Sequence, residues 1–180
     1  PRILNSEASL DEDGYVELAL DSFIYDVDGP SLIYSIQSSA SHGVENIADG
    51  LLSYRPNPDY YGSDSMVLSA TDGEYTTNVV IAWTVHPVND APRVVDYIGV
   101  LDEDTSIDIA LLVTEVDGES VSIVVSDPLH GVLDETGVGT YTYTPEADFF
   151  GSETLTFVAS DGVLDSEVGQ ISLVISAIDD

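Results

Sequence analysis

The sequence predicts an all-β chain of two tandem antiparallel β-sandwiches, and three observations predict it. Short β-branched and aromatic runs alternate apolar and polar residues at period two, separated by clusters of Gly, Asp, Asn and Pro. No stretch carries the 3.6-residue period of an amphipathic helix. The second half of the chain repeats the first at a separation of roughly 90 residues. About seven short strands in each copy, with turn signals every 8–12 residues, indicate sandwiches of immunoglobulin-like type. The chain has no Cys, so the Cys…Trp…Cys pattern of antibody domains is excluded.

In chain order, Leu10-Asp11-Glu12-Asp13 recurs as Leu101-Asp102-Glu103-Asp104, and Tyr25-Asp26-Val27-Asp28-Gly29 as Thr114-Glu115-Val116-Asp117-Gly118. The next strand turns Leu32, Tyr34 and Ile36 inward, matched by Val121, Ile123 and Val125. His42-Gly43-Val44 matches His130-Gly131-Val132, and Tyr54-Arg55-Pro56 matches Tyr143-Thr144-Pro145. Asp59-Tyr60-Tyr61-Gly62-Ser63 corresponds to Asp148-Phe149-Phe150-Gly151-Ser152. A strand with Met66, Leu68 and Ala70 inward (Leu155, Phe157 and Ala159 in the second copy) runs into Ala70-Thr71-Asp72-Gly73, echoed by Ala159-Ser160-Asp161-Gly162. The last strand buries Val79, Ile81, Trp83 and Val85, as its counterpart buries Ile171, Leu173 and Ile175. Val88-Asn89-Asp90-Ala91-Pro92 then joins the copies as a stiff connection, because Pro fixes its own φ and extends the residue before it. The expected domains are 1–89 and 90–180, with the linker at about 88–92. Pro1-Arg2 begins in mid-pattern, so the chain reads as two repeats from a longer array.

Composition narrows the function. Against 34 Asp and Glu stand three strong cations, Arg2, Arg55 and Arg93, for a net charge of −31. Nucleic acid, phosphate groups and anionic membranes are repelled by such a surface. A disordered acidic tail is excluded by the 43% hydrophobic content, interspersed with the acids throughout. Without Cys there is no disulfide, thiolate nucleophile or thiolate zinc site. No apolar run approaches the ~18 residues of a membrane span. A multivalent cation that binds only the folded state would offset the self-repulsion, and calcium is the natural candidate.

The candidate ligands are the acids that recur at matched loop positions: Glu12 and Glu103, Asp26 with Asp28, Glu115 with Asp117, Asp59 and Asp148, Asp72 and Asp161. Calcium takes six to eight oxygens at about 2.3–2.6 Å from carboxylates, amide side chains and carbonyls, in tolerant geometry. In extended backbone, residues i and i+2 project to one side, so Asp26/Asp28 and Glu115/Asp117 can each present two carboxylates to one ion. Asn89 and Asp90 add oxygens at the join. The competing reading is that Asp72-Gly73 and Asn57-Pro58 are ordinary turn formers.

These same residues resemble the cadherin-like repeats, in particular the tandem repeats of bacterial surface adhesins of the repeats-in-toxin type. The likeness rests on the early Glu-Asp, the His-Gly turn, Tyr-x-Pro followed by aromatic-Gly, the Asp72-Gly73 and Asp161-Gly162 turns and Val88-Asn89-Asp90-Ala91-Pro92. It covers essentially the whole chain. The resemblance implies calcium between successive domains. Glu12 and Asp59 of the first unit, Asn89 and Asp90 of the linker, and Glu115, Asp117 and Asp161 of the second would then share a mid-chain site. Asp26, Asp28 and Asp72 would face an upstream neighbour; Glu103, Asp148, Asp179 and Asp180 would face a downstream one. Pro56-Asn57-Pro58-Asp59 stands where cadherins carry Asp-Arg-Glu, leaving Asn57 and Asp59 as alternatives there. The linker has fewer acids than a full cadherin linker, implying fewer than three ions.

The expected function is a non-enzymatic, monomeric spacer at the bacterial cell surface or outside the cell, stiffened by calcium and contacting neighbouring repeats. The alternative is a carbohydrate-binding or homophilic recognition pair, in which Tyr60, Tyr61, Phe149 and Phe150 meet polysaccharide or another cell surface. Against that, aromatic pairs before Gly serve as plugs of a sandwich corner. His42 and His130 read as turn residues rather than ligands or bases. A two-carboxylate glycosidase is disfavoured because the acids are duplicated in small sandwiches.

Overall fold

Alternating apolar residues give strands whose inner faces must be covered, and each half of this chain covers them by closing two sheets over one core. The computed structural model describes residues 1–180 apart from Leu4, Asn5, Asp28, Pro30 and Asp180. It divides into two units, Pro1–Val88 and Asn89–Asp180. Among the described residues the structure is strand and loop, with one 3₁₀ turn at Leu20–Ser22, and no helix is long and apolar enough to cross a membrane.

The first unit contains β1 (Arg2–Ile3), β2 (Glu7–Asp11), β3 (Val16–Ala19), β4 (Ile24–Tyr25), β5 (Ile33–Ser38), β6 (Gly43–Ala48), β7 (Leu51–Pro56), β8 (Gly62–Thr71) and β9 (Thr76–His86). One sheet has the order β2-β9-β8-β5 and the other β3-β7-β6, while β1 pairs with β4. The second unit repeats this with β10 (Arg93–Val94), β11 (Tyr97–Asp102), β12 (Ile107–Ala110), β13 (Val113–Thr114), β14 (Ser122–Val125), β15 (Gly131–Gly137), β16 (Thr140–Pro145), β17 (Gly151–Ser160) and β18 (Gly169–Ser176). Its sheets are β11-β18-β17-β14 and β12-β16-β15, with β10 on β13. Neighbours are antiparallel except β2 with β9 and β11 with β18, which run parallel. Each unit thus closes by laying its early strand beside its last.

The alternation read from the sequence is the alternation in the fold. Val79, Ile81, Trp83 and Val85 are buried along β9, as are Met66, Leu68 and Ala70 along β8. Leu155, Phe157, Ala159, Ile171, Leu173 and Ile175 repeat the pattern. In the first core the Tyr54 ring stacks on Trp83 with centroids 4.6 Å apart. Full burial of side chains of this size contributes about 1.5–3 kcal/mol each. The aromatic pairs before Gly divide their labour. Tyr60 and Phe149 are half-buried and pack on the cores, whereas Tyr61 and Phe150 are exposed.

A buried acid ties each His-Gly turn to its sandwich. Asp64 lies on the inward register of β8, and its carboxylate accepts the Ser41 N–H (3.0 Å), the His42 N–H (2.8 Å), the Ser65 N–H (2.8 Å) and the Tyr54 hydroxyl (2.9 Å). Glu153 repeats it, accepting from Leu129, His130 and Thr154 N–H groups. The turn packs so closely that a Cβ on Gly43 would lie 2.6 Å from the Arg55 carbonyl, and one on Gly131 2.5 Å from that of Thr144. His42 stacks on Tyr60 at 4.1 Å and His130 on Phe149 at 4.2 Å, which gives both histidines the turn role expected of them. Burial pushes the Tyr143 phenol up to about 12, with the charges of Glu153 and Glu146 adding to it.

Burial alone would raise the Asp64 carboxyl, but its four donors outweigh that and hold it below the ordinary carboxylate value. A carboxyl depressed in the folded state stabilises fully above its unfolded pKa and loses that contribution as pH falls through the folded value. Asp64→Asn is therefore expected to lower unfolding stability in urea by about 2 kcal/mol at pH 7. The gap between variant and wild type should narrow below about pH 4.

Candidate metal centre

Each unit ends in a pair of loops whose acids face the segment that enters it, and the second unit shows this in full. The linker residue Asn89 donates from Nδ2 to Asp161 Oδ2 at 2.9 Å. The next residue, Asp90, donates its N–H to Asp117 Oδ2 at 2.8 Å. Asp117 in turn donates its N–H to Glu115 Oε1 at 3.1 Å. Glu115, Asp117 and Glu119 each bring a carboxylate oxygen within 4.8 Å of the others. Glu115 Oε2 is buried and accepts no hydrogen bond.

That arrangement suits a hard cation. Two like unit charges about 4 Å apart repel by roughly 1 kcal/mol in water and about 4 kcal/mol at the effective dielectric of a protein surface. A buried carboxylate oxygen without a donor adds a desolvation cost. A divalent ion converts both terms to attraction, and the all-oxygen donor set of carboxylates plus the Asn89 amide matches calcium or magnesium rather than a thiophilic metal.

Asp161 holds its own turn as well. Its Oδ1 accepts the N–H groups of Val163 (2.6 Å) and Leu164 (2.7 Å). Those amides, first Leu164 and then Val163, with Asn89 assisting, keep its carboxyl below the ordinary value. Asp72 does the same in the first unit, accepting from Glu74 and Tyr75, and is lowered by those amides, Tyr75 foremost. The turn-former reading of the Asp-Gly pairs therefore holds for one oxygen of each, while Asp161 Oδ2 faces the linker.

Glu12 is 2% exposed. Its Oε1 accepts the Val88 N–H at 2.6 Å, its own N–H donates to the His86 carbonyl, and Oε2 is buried without a hydrogen-bond partner. Glu103 repeats the clamp on the Ile178 N–H at 2.8 Å and the Ser176 carbonyl. Asp26 lies 3.7 Å from the Pro1 ammonium. Asp28 falls outside the described residues. Asp59 and Asp148 occupy the left-handed region, with φ of 59° and 60°, in the turns that follow β7 and β16. Asp and Asn are the side-chain-bearing residues that adopt this region most readily.

The structure thus gathers Asn89, Asp90, Glu115, Asp117 and Asp161 within the second unit. Comparing the repeats passes over Glu119, because the first copy has Pro30 two residues after Asp28 and only the second extends the alternation of acids by one more. It also passes over Asp64 and Glu153, although an acid in the inward register of a strand, at the same position in both copies, was the signal for them.

A profile of the bacterial Ig domain matches residues 1–83 and again 89–174. Among solved structures, human protocadherin-24 EC1-2 (Form II) is similar with a TM-score of 0.55 and 14% identity, over 97% of this chain and 95% of that one. Human mucin-like protocadherin EC1-2 gives 0.52 and 11%, over 98% of both chains. An endo-fucoidan hydrolase of glycoside hydrolase family 107 gives 0.40 and 20%, and this chain spans 28% of its length. No curated protein matches. At these identities the cadherin likeness is one of fold, and the profile match over both halves supplies the family. The chain is two tandem members of the bacterial Ig domain family, each folded as a cadherin-like β-sandwich.

Proposed function

We propose that this pair is a non-enzymatic, calcium-binding spacer of a bacterial surface adhesin, in which calcium at the join between the domains fixes one to the next. The observation that carries this reading is the convergence of Glu115, Asp117 and Glu119 around a buried, unpartnered Glu115 oxygen, beside Asp90 and Asp161. Glu12 and Asp59 of the first unit are proposed as further calcium ligands. The buried Oε2 of Glu12, on the residue that holds Val88, supports the former. Asp26, Asp28 and Asp72 would serve a preceding repeat, and Glu103 a following one. A location outside the cell, where calcium is millimolar and sites of about 10⁻⁴ to 10⁻³ M suffice, fits this chemistry.

The protein's part is preorganisation. Backbone amides hold one oxygen of Glu12, of Asp117 and of Asp161, and the remaining oxygens are offered to the ion at little further ordering cost. At 10 mM calcium, dissociation constants in that range stabilise the folded state by about 1.4–2.7 kcal/mol. Calorimetric titration with calcium should show saturable binding, at least tenfold weaker for Asp117→Ala. Absence of binding by the wild-type chain would sink the proposal.

Glu115→Gln separates a cation ligand from a structural acid. Without calcium the variant sheds a repulsive charge and is expected to melt higher than wild type, by about 1 kcal/mol of stability. In 10 mM calcium it should melt lower, and a variant that is less stable under both conditions speaks against the ion. Small-angle scattering should show the pair stiffening as calcium is added, with the change reversed by chelator.

A further inference from the structure

The two units follow one plan, and the place where the first departs from it is a cleft. Equivalent hydrogen bonds fix the alignment: Leu20 N–H to the Gly50 carbonyl in the first unit and Leu111 N–H to the Gly139 carbonyl in the second. Equivalent strand pairs follow, Arg2 with Tyr25 and Arg93 with Thr114. Three residues, Asp21, Ser22 and Phe23, separate Leu20 from Ile24, whereas Leu112 alone separates Leu111 from Val113. The two extra residues form the 3₁₀ turn, which is locked by the Phe23 N–H on the Leu20 carbonyl and by Ser22 Oγ on the Ala19 carbonyl at 2.6 Å. Leu20, Phe23 and Ile24 anchor it in the core.

That turn raises Asp21 into the wall of a cleft of about 440 Å³, with Tyr25, Asp26, Leu32 and Tyr34 around it. Tyr34 donates its hydroxyl to Asp21 Oδ1 at 3.3 Å, and Tyr25 is 38% exposed. The second unit has Leu112, Thr114 and Ile123 where the first has Asp21, Tyr25 and Tyr34, so neither Asp21 nor the two phenols are part of the shared plan, whereas Asp26 is matched by Glu115. The core does not require them either, since Ile123 packs on its core where Tyr34 packs on the other.

We propose that this cleft is a binding site for a neutral, hydroxyl-rich ligand, a sugar residue of an uncharged polysaccharide. Sugar hydroxyls donate to the Asp21 carboxylate in charge-assisted bonds, about twice as strong as neutral ones. The C–H face of the ring lies on the Tyr25 ring, which presents apolar area at little entropic cost. The volume falls within the ~300–1,000 Å³ of small-ligand sites. Anionic sugars are repelled by Asp21 and by the net charge of −31. The site uses none of the second unit's acids, and Asp26, which also lines the cleft, is the one residue it shares with the calcium reading.

Affinity electrophoresis of the whole chain through gels containing starch, xylan, mixed-linkage β-glucan or alginate, with pull-downs on cellulose and chitin, tests it. Retention by at least one neutral polysaccharide and none by alginate is expected, unchanged by chelator. Tyr25→Ala and Asp21→Asn should each weaken it at least tenfold, with Tyr15→Ala, on an exposed ring outside the cleft, leaving it unchanged. A melting curve run on each variant separates lost binding from lost fold, and the conservative Asp21→Asn carries the test if Tyr25→Ala fails to fold. No retention by any neutral polysaccharide, retention that chelator abolishes, retention indifferent to both cleft variants, or saturable binding of spermidine in place of sugar would each overturn the proposal.

Discussion

A carboxylate accepting a backbone N–H is the interaction on which this molecule's loops depend. With 34 acids and three arginines, side-chain cations cannot serve as the general partner of its negative groups. The main chain does so instead. Asp64 and Glu153 hold the His-Gly turns, Asp72 and Asp161 close the Asp-Gly turns, Glu12 and Glu103 grip the strand exits, and Asp96 takes the Gln170 N–H. Where the carboxylate is buried, as at Glu12, Asp64, Glu103 and Glu153, each such bond contributes about 1.5–3 kcal/mol, more than an exposed ion pair, which typically contributes 1 kcal/mol or less.

The same bond explains how a chain this acidic can fold with its carboxylates close together. An amide donor satisfies one oxygen and fixes the carboxylate's plane. Glu12 shows the consequence most clearly: Oε1 is committed to Val88, and Oε2 is left buried beside it. Glu115 has the same split, with Oε1 on the Asp117 N–H and Oε2 unpartnered. A backbone that orders the acids also brings them close enough to repel one another. Folding alone does not remove that repulsion, and screening by salt relieves it least where the groups are buried.

What the sequence discloses follows from periodicity. A period of two fixes which face of a strand is inward, and repetition confirms each assignment, so residues such as Ile81 and Trp83 could be placed in the core from spacing alone. The partners of the loop acids were not open to the same reasoning. Nothing local to Glu12 indicates that its acceptor oxygen meets an amide 76 residues away. Nothing in the pair Tyr60-Tyr61 says that one ring is packed on the core and capped by a histidine while the other is exposed. Repetition also hides what is unique. Glu119 has no counterpart in the first copy, and the Asp21 turn has none in the second, so a reading built on matched positions discounts both.

Duplication gives those unmatched residues their meaning. Two copies of one sandwich share a core, a closing parallel strand pair and a set of turn acids, all of which the fold needs twice. A feature present in one copy cannot be required by the plan, because the other copy folds without it. The third acid at Glu119 belongs to the second unit and the Tyr25–Asp21 cleft to the first. Each departs from the plan by adding a carboxylate, and the first-unit departure also sends Phe23 into the core. Phe23 gives the inserted turn its reason in packing, and the charges of Asp21 and Glu119 are what packing leaves over.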